Sequence, residues 1–252
     1  MNAQIFKLWA IGLICLAGCG VKGDLSPKGR SEPQPPTGLT LRQQGNSILL
    51  QWQAPSQNQD GSPLTDLQGY RIGFYSYQPE SYCAECIDQS TIATIMSEQP
   101  FPAFIDSQTF YYRDPDLEAG RGYRYRVQPF TRGGHDGPDA VINHIMQPAP
   151  PAPVDLKVEA LDRGSRIFWS LRPEVQDVGE FLGVNIYRGE SGALAPEPIN
   201  RQPVRGNNFE DFGLINGSDY IYALRTVIET DDDSIIESRI SETITTTPKS
   251  GP

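Results

Sequence analysis

The sequence predicts an all-β protein: two β-sandwiches in tandem, following a secretory signal and a polar tether. Three observations carry this. Apolar residues alternate with polar ones over short stretches, as in Ile48, Leu50 and Trp52, which is the period of a half-buried strand. Glycine (24) and proline (22) are abundant, as suits short strands joined by turns. The same run of landmarks occurs twice, once before and once after a proline-rich stretch at 148–153, the signature of a repeated structural unit.

At the N-terminus an apolar run extends from Ile5 to Leu16, with Lys7 near its start. It is short of the roughly 20 apolar residues that a spanning helix needs, and a charged start, an apolar centre and small closing residues make a secretory signal. Its end, Leu16-Ala17-Gly18-Cys19, resembles a bacterial lipobox. That resemblance implies removal of residues 1–18 and a diacylglycerol thioether plus an N-acyl chain on Cys19, with no other cofactor. Two or more acyl chains give stable anchoring, at about 0.8 kcal/mol per buried methylene. Gly20, rather than Asp, follows the cysteine, so the lipoprotein sorting rule implies the outer membrane of the cell envelope. The opening Cys19-Gly-Val-Lys-Gly-Asp-Leu25 is also similar to the start of small lipoproteins that assist the lipopolysaccharide translocon, which offers assembly of that export machinery as one alternative function.

Residues 19–34 are polar and proline-rich and read as an extended spacer. The rest of the chain suffices for two domains of about 100 residues each. The formal net charge of −10 argues against nucleic acid and against electrostatic adhesion to acidic lipid.

The first domain is expected over 35–147. Leu39 and Leu41, then Ile48, Leu50 and Trp52, mark two strands, with Gln53-Ala-Pro55 ending the second and Asp60-Gly-Ser-Pro63 turning the chain. Gly69-Tyr-Arg-Ile-Gly-Phe-Tyr75 is the next, with Tyr70, Ile72 and Phe74 inward. Leu117 and Tyr123 then bracket a glycine-rich corner, and Tyr123, Tyr125 and Val127 alternate inward. Pro35-Pro36, Trp52, Gly69-Tyr70-Arg71-Ile72 and the Leu117/Tyr123 corner together resemble a fibronectin type III domain, and this implies an immunoglobulin-like sandwich.

The second domain is expected over 154–248, with 249–252 as a tail. Leu156 and Val158, Arg166-Ile-Phe-Trp169, Gly183-Val-Asn-Ile-Tyr-Arg188 and the Leu214/Tyr220 corner repeat the landmarks, and Leu precedes Tyr by six residues in both copies. The hinge at 148–153 is short and proline-stiffened, so the domains are expected to lie end to end. The stretch from Trp52 to Leu117 exceeds that from Trp169 to Leu214 by about twenty residues, which places an insertion at 76–108. Loop closure entropy grows slowly with length, so such an insertion costs the core little.

That insertion holds Cys83 and Cys86, one even pair once Cys15 leaves with the signal and Cys19 is lipidated. A redox pair needs a thiolate stabilised by a helix N-terminus or a cation, yet Glu85 sits between these two. A zinc site needs about four ligands, and the chain supplies only His135 and His144 besides. A structural disulfide is the best fit; a thiol-disulfide oxidoreductase is the alternative from another functional class. His135 has no nucleophile beside it, and there is no phosphate-binding glycine loop and no HExxH, so no enzyme activity is expected. Asp231-Asp-Asp233 reads as a solvated turn rather than a calcium loop.

Alternation points Arg71, Tyr75 and Tyr77 outward on one strand and Arg124 and Arg126 outward on its neighbour. Tyrosine and arginine are enriched in binding hot spots. These five residues are the candidate partner-binding face. The expected role is a non-catalytic binding or scaffold module whose partner is an envelope protein or, second, a polysaccharide.

Overall fold

The computed structural model describes residues 32–84, 90–190 and 192–250. The signal, Cys19 and most of the tether therefore lie outside the described residues, as does Cys86. Both sandwiches belong to one compact unit. Among the described residues no helix is long and apolar enough to cross a membrane.

The first sandwich is built from eight strands: β1 (Thr37–Gln44), β2 (Ser47–Gln53), β3 (Leu67–Tyr77), β4 (Ser90–Met96), β5 (Phe104–Asp106), β6 (Thr109–Asp114), β7 (Gly122–Thr131) and β8 (Ala140–Ile145). The order β4-β3-β7-β8 forms one antiparallel sheet, and β1-β2-β6-β5 faces it. Period-2 alternation puts Ile48, Leu50, Trp52, Tyr70, Ile72, Tyr123, Tyr125 and Val127 in one core, as the sequence predicts. Trp52 stacks on Phe110 at 5.5 Å and meets the edge of Tyr70 at 5.4 Å, the offset and T-shaped geometries that the ring quadrupoles favour.

The second sandwich comprises β9 (Val154–Leu161), β10 (Gly164–Ser170), β11 (Glu180–Glu190), β12 (Ala193–Leu194), β13 (Asn208–Phe212), β14 (Tyr220–Glu229), β15 (Ile235–Glu237) and β16 (Ile244–Thr246). The sheet β13-β10-β9 packs on β12-β11-β14, and β15 and β16 both pair with β14. Ile167, Trp169, Val184, Ile186, Tyr220, Tyr222 and Leu224 fill its core. Asp231-Asp-Asp233 makes the β14–β15 turn.

Both tyrosine corners form. The Glu118 N–H donates to the Tyr123 hydroxyl at 2.9 Å and the Ile215 N–H to the Tyr220 hydroxyl at 3.1 Å. Each ring thereby fills the end of its sandwich while its oxygen satisfies a backbone donor that the chain reversal leaves unpaired. Two residues beyond each corner tyrosine a second one is buried against a carboxylate: Tyr125 donates to Asp114 at 2.6 Å and Tyr222 to Asp211 at 2.7 Å. Arg188 neutralises Asp211 at 2.9 Å. Phe74 occupies the matching position opposite Tyr125, so Asp114 lacks that cation, and burial pushes its carboxyl above the ordinary range.

Beyond the hinge expected at 148–153, the two sandwiches also meet through the ends of two strands. Strand β1, the edge of one sheet in the first sandwich, pairs in parallel with β15, the edge of one sheet in the second; Gln43 lies opposite Ile236 and Gln44 opposite Glu237. The outcome is one nine-stranded sheet running through both sandwiches. An open edge presents unpaired N–H and C=O groups, and joining two edges satisfies them. The two-residue turn after β1 fits against β15 because Gly45 has φ +67° and its N–H donates to Glu237 at 2.8 Å. A Cβ on Gly45 would lie 2.4 Å from the Arg239 Cγ, so glycine is needed there for space as well as for conformation.

Candidate partner-binding face

The β3–β7 pairing brings all five predicted face residues into two opposed rows. Tyr75 lies opposite Arg124, Gly73 opposite Arg126, Arg71 opposite Gln128 and Tyr77 opposite Gly122. The alternation argument therefore assigns the side of the sheet. It does not assign exposure. Tyr77 is buried at 7% exposure, against the expectation that it stands in solvent. Two neighbours account for this. Gly122, lacking a side chain, lets the Tyr77 ring lie flat on the sheet, so that a Cβ there would fall 2.1 Å from it. From the other side Tyr82 covers it, with ring centroids 4.8 Å apart.

Tyr82 arrives through the start of the insertion. Strand β3 runs to Tyr77, a short 3-10 turn spans Pro79–Ser81, and the chain folds back over the sheet. Two hydrogen bonds hold it there: Asn143 on β8 donates to the Tyr82 hydroxyl at 3.3 Å, and Arg124 donates to the Ala84 carbonyl. Three rings then form a continuous ladder, Tyr75 on Tyr77 at 5.8 Å and Tyr77 on Tyr82. Burial raises the Tyr77 hydroxyl above the ordinary phenol range, with Tyr82 adding to the shift. Cys83 lies next to this ladder, half-buried, and its proposed partner Cys86 lies outside the described residues.

The arginines are engaged. Arg71 pairs with Asp136 at 2.5 Å while its guanidinium lies over the Phe130 ring at 4.5 Å, and Arg126 pairs with Asp139. Exposed ion pairs are worth little to stability, a median near 0–1 kcal/mol, but they hold the guanidinium planes flat on the face. Tyr82, Val141 and Ile145 are exposed at its β8 margin, at 43%, 41% and 39%. Hence the face presents an aromatic ladder at one end and charge-compensated guanidiniums at the other. Tyr82 and Asn143 were not singled out by the sequence. The one available signal was the density of tyrosines around Tyr75, Tyr77 and Tyr82 beside the cysteines.

Among the described residues no cluster of three or more His, Cys, Asp or Glu side chains could hold a metal ion. Buried polar groups concentrate instead at the joint between the sandwiches. Glu237, on β15, accepts from the Tyr187 hydroxyl at 2.7 Å, from Gln44 Nε2 at 2.7 Å and from Asn185 Nδ2 at 2.5 Å, with Arg225 Nε at 3.9 Å. Arg42 reaches from β1 to Glu197 at 2.8 Å. Gln43 donates to the Gly45 and Gln147 carbonyls, which leaves its Oε1 to accept from the Gln147 N–H and from His144 Nε2 at 2.8 Å.

These features define a tandem of immunoglobulin-like sandwiches with a tyrosine corner in each. Residues 34–145 match the family model for the fibronectin type III domain. Such domains commonly mediate protein interaction, which fits a non-catalytic binding or scaffold role. The chain is similar to human Myomesin-2, 22% identical over 200 residues that make up 77% of this chain and 12% of that protein. The chain thus spans about an eighth of that relative. Among solved structures it is similar to the FN1–FN3 domains of chicken CNTN1 (15% identity, TM-score 0.35), covering 87% of this chain and 69% of that one. A second similar structure, described as a myokine, is 17% identical with TM-score 0.32, covering 40% of this chain and 100% of the other.

Proposed function

We propose that this protein is a lipid-anchored scaffold of the bacterial cell envelope, held in the outer membrane by acyl chains on Cys19, that captures another envelope protein without catalysis. One observation carries the reading: the outer face of β3 and β7, where the ladder of Tyr75, Tyr77 and Tyr82 is fixed by the insertion beside Arg71, Arg124 and Arg126. Aromatic rings held in place lose little conformational entropy on binding, and tyrosine and arginine dominate interface hot spots. A structural Cys83–Cys86 disulfide would fasten the insertion at the base of this ladder. The parallel β1–β15 joint supports a scaffold role because it sets the second sandwich rigidly against the first.

The test replaces the accessible rungs, half-buried Tyr75 and exposed Tyr82, and spares the buried one. Tyr75→Ser with Tyr82→Ser should reduce the partner recovered by crosslinking from the native envelope at least tenfold, the loss that a hot spot worth about 1.4 kcal/mol or more implies. Unchanged recovery from a folded variant would remove this face from consideration. Labelling cells with a palmitate analogue tests the anchor separately: label should appear on the protein and vanish in Cys19→Ser. An unlabelled wild-type protein would end the envelope assignment.

A further inference from the structure

A cleft of 530 Å³ opens where the two sandwiches meet, between the β1–β2 turn, β6, β11 and β14. Three arginines line it: Arg113 from β6, Arg225 from β14 and Arg239 from the segment after β15. Their environment is unusual for so acidic a chain. Arg113 donates to the Ser47 hydroxyl at 3.1 Å, and among the described residues no carboxylate lies within ion-pair distance of it or of Arg239. Arg225 is 6% exposed, and its Nε has no hydrogen-bond acceptor. Its nearest charge partner, Glu237, is already taken up by Tyr187, Gln44 and Asn185. The neighbouring Glu197 is held by Arg42.

Three guanidiniums against one carboxylate leave two cationic charges uncompensated in a partly desolvated site. Burial disfavours the charged form of both Arg113 and Arg225 and draws their pKa below the ordinary arginine value; Glu237 and Tyr187 oppose this, and repulsion from Arg42 on both, and from Arg113 on Arg225, adds to it. A dianion with several acceptor oxygens is the complement of such a site, because guanidinium forks match tetrahedral oxyanions and bind them by charge-assisted hydrogen bonds. A phosphate monoester carries −1.5 to −2 charges at neutral pH, whereas a carboxylate carries one.

We propose that the inter-sandwich cleft is a binding site for a phosphate group, with Arg113 and Arg239 as its gripping residues and Arg225 as its floor. The site is independent of the β3–β7 face, so it stands or falls separately from the proposed capture of an envelope protein. Tyr187 and Asn46 beside the guanidiniums supply further polar contact without adding charge.

Isothermal titration of the detergent-purified protein tests this with inorganic phosphate and with glucose 6-phosphate, which separate a free ion from an esterified one. Acetate at matched ionic strength is the control. Saturable binding of at least one phosphate probe is expected, weakened at least tenfold in Arg113→Gln with Arg239→Gln and absent with acetate. Tighter binding of glucose 6-phosphate would assign the ester, and tighter binding of inorganic phosphate the free ion. Failure of both phosphates to bind, equal binding by acetate, or undiminished binding by the double variant would overturn the proposal. Among the described residues neither arginine has an ion pair to lose, and circular dichroism confirms that the variant is folded before titration.

Discussion

Replacing Glu237 by alanine is the sharpest test of the joint. The carboxylate is 3% exposed and accepts three hydrogen bonds from neutral donors: the Tyr187 hydroxyl, the Gln44 amide across the joint and the Asn185 amide. It is also the counter-charge of Arg225, 6% exposed and 3.9 Å away. Removing it strands two buried donors, the half-buried Asn185 amide and one buried cation together. A single orphaned buried donor costs about 1–3 kcal/mol, and breaking a buried charge pair costs about 3–5 kcal/mol. These terms share partners and do not add. The larger one therefore sets the scale, about 3–5 kcal/mol. Urea unfolding should show a midpoint lowered by more than about 1 M, since the urea slope for a protein is about 1–3 kcal/mol per molar. Hydrogen exchange supplies the local signature. The Gly45 N–H, which bonds the Glu237 carbonyl at 2.8 Å, should lose protection in the variant, while the Tyr123 and Tyr220 corners keep theirs. A destabilisation below about 1 kcal/mol with Gly45 still protected would refute the claim that this network clamps the sandwiches together.

Three further outcomes follow from the geometry. Asp114→Asn should stabilise the protein at neutral pH: burial raises the carboxyl in the folded state, so its contribution is present below the unfolded value and is lost as pH rises through the folded one, and asparagine keeps an acceptor for Tyr125; thermal melts at pH 7 and pH 3 should show the advantage only at pH 7. His144 is pushed below its ordinary value by burial, opposed by Asp232, so the stability it contributes is present above about pH 6.5 and is lost as pH falls through the folded value; His144→Gln should flatten the melting temperature between pH 7 and pH 5. Tyr123→Phe and Tyr220→Phe should each cost about 1–2 kcal/mol in chemical denaturation, because each orphans one backbone N–H, of Glu118 or Ile215, in its own sandwich.

Much of the fold was legible because it rests on local rules. Alternation named the inward residues of β2, β3 and β7, and the six-residue spacing of Leu117 to Tyr123 and of Leu214 to Tyr220 located both corners. A further repeat stands in the sequence: an aspartate eleven residues before the second core tyrosine, Asp114 to Tyr125 and Asp211 to Tyr222, which becomes the buried Asp–Tyr bond of each copy. The candidate site was legible only as to side. Alternation gives the direction of Tyr77 from the sheet, but its burial depends on Tyr82 folding back and on the missing side chain of Gly122.

The sequence by itself determined that strands form, which residues face inward, where each sandwich turns its corner and that the pattern occurs twice, since a two-residue period and a tyrosine hydroxyl act within reach of their neighbours in the chain. Only the tertiary structure decided that β1 would meet β15, that Arg42, Gln43 and Gln44, which read as an ordinary polar strand end, would enter a joint with Glu237 and Arg225, and that three arginines from separate segments would line one cleft. Such contacts join residues nearly two hundred positions apart, as Gln44 and Glu237 are, and depend on how two finished sandwiches dock. No local period encodes that approach, because it is fixed by the pairing of edges that each sandwich alone would leave open.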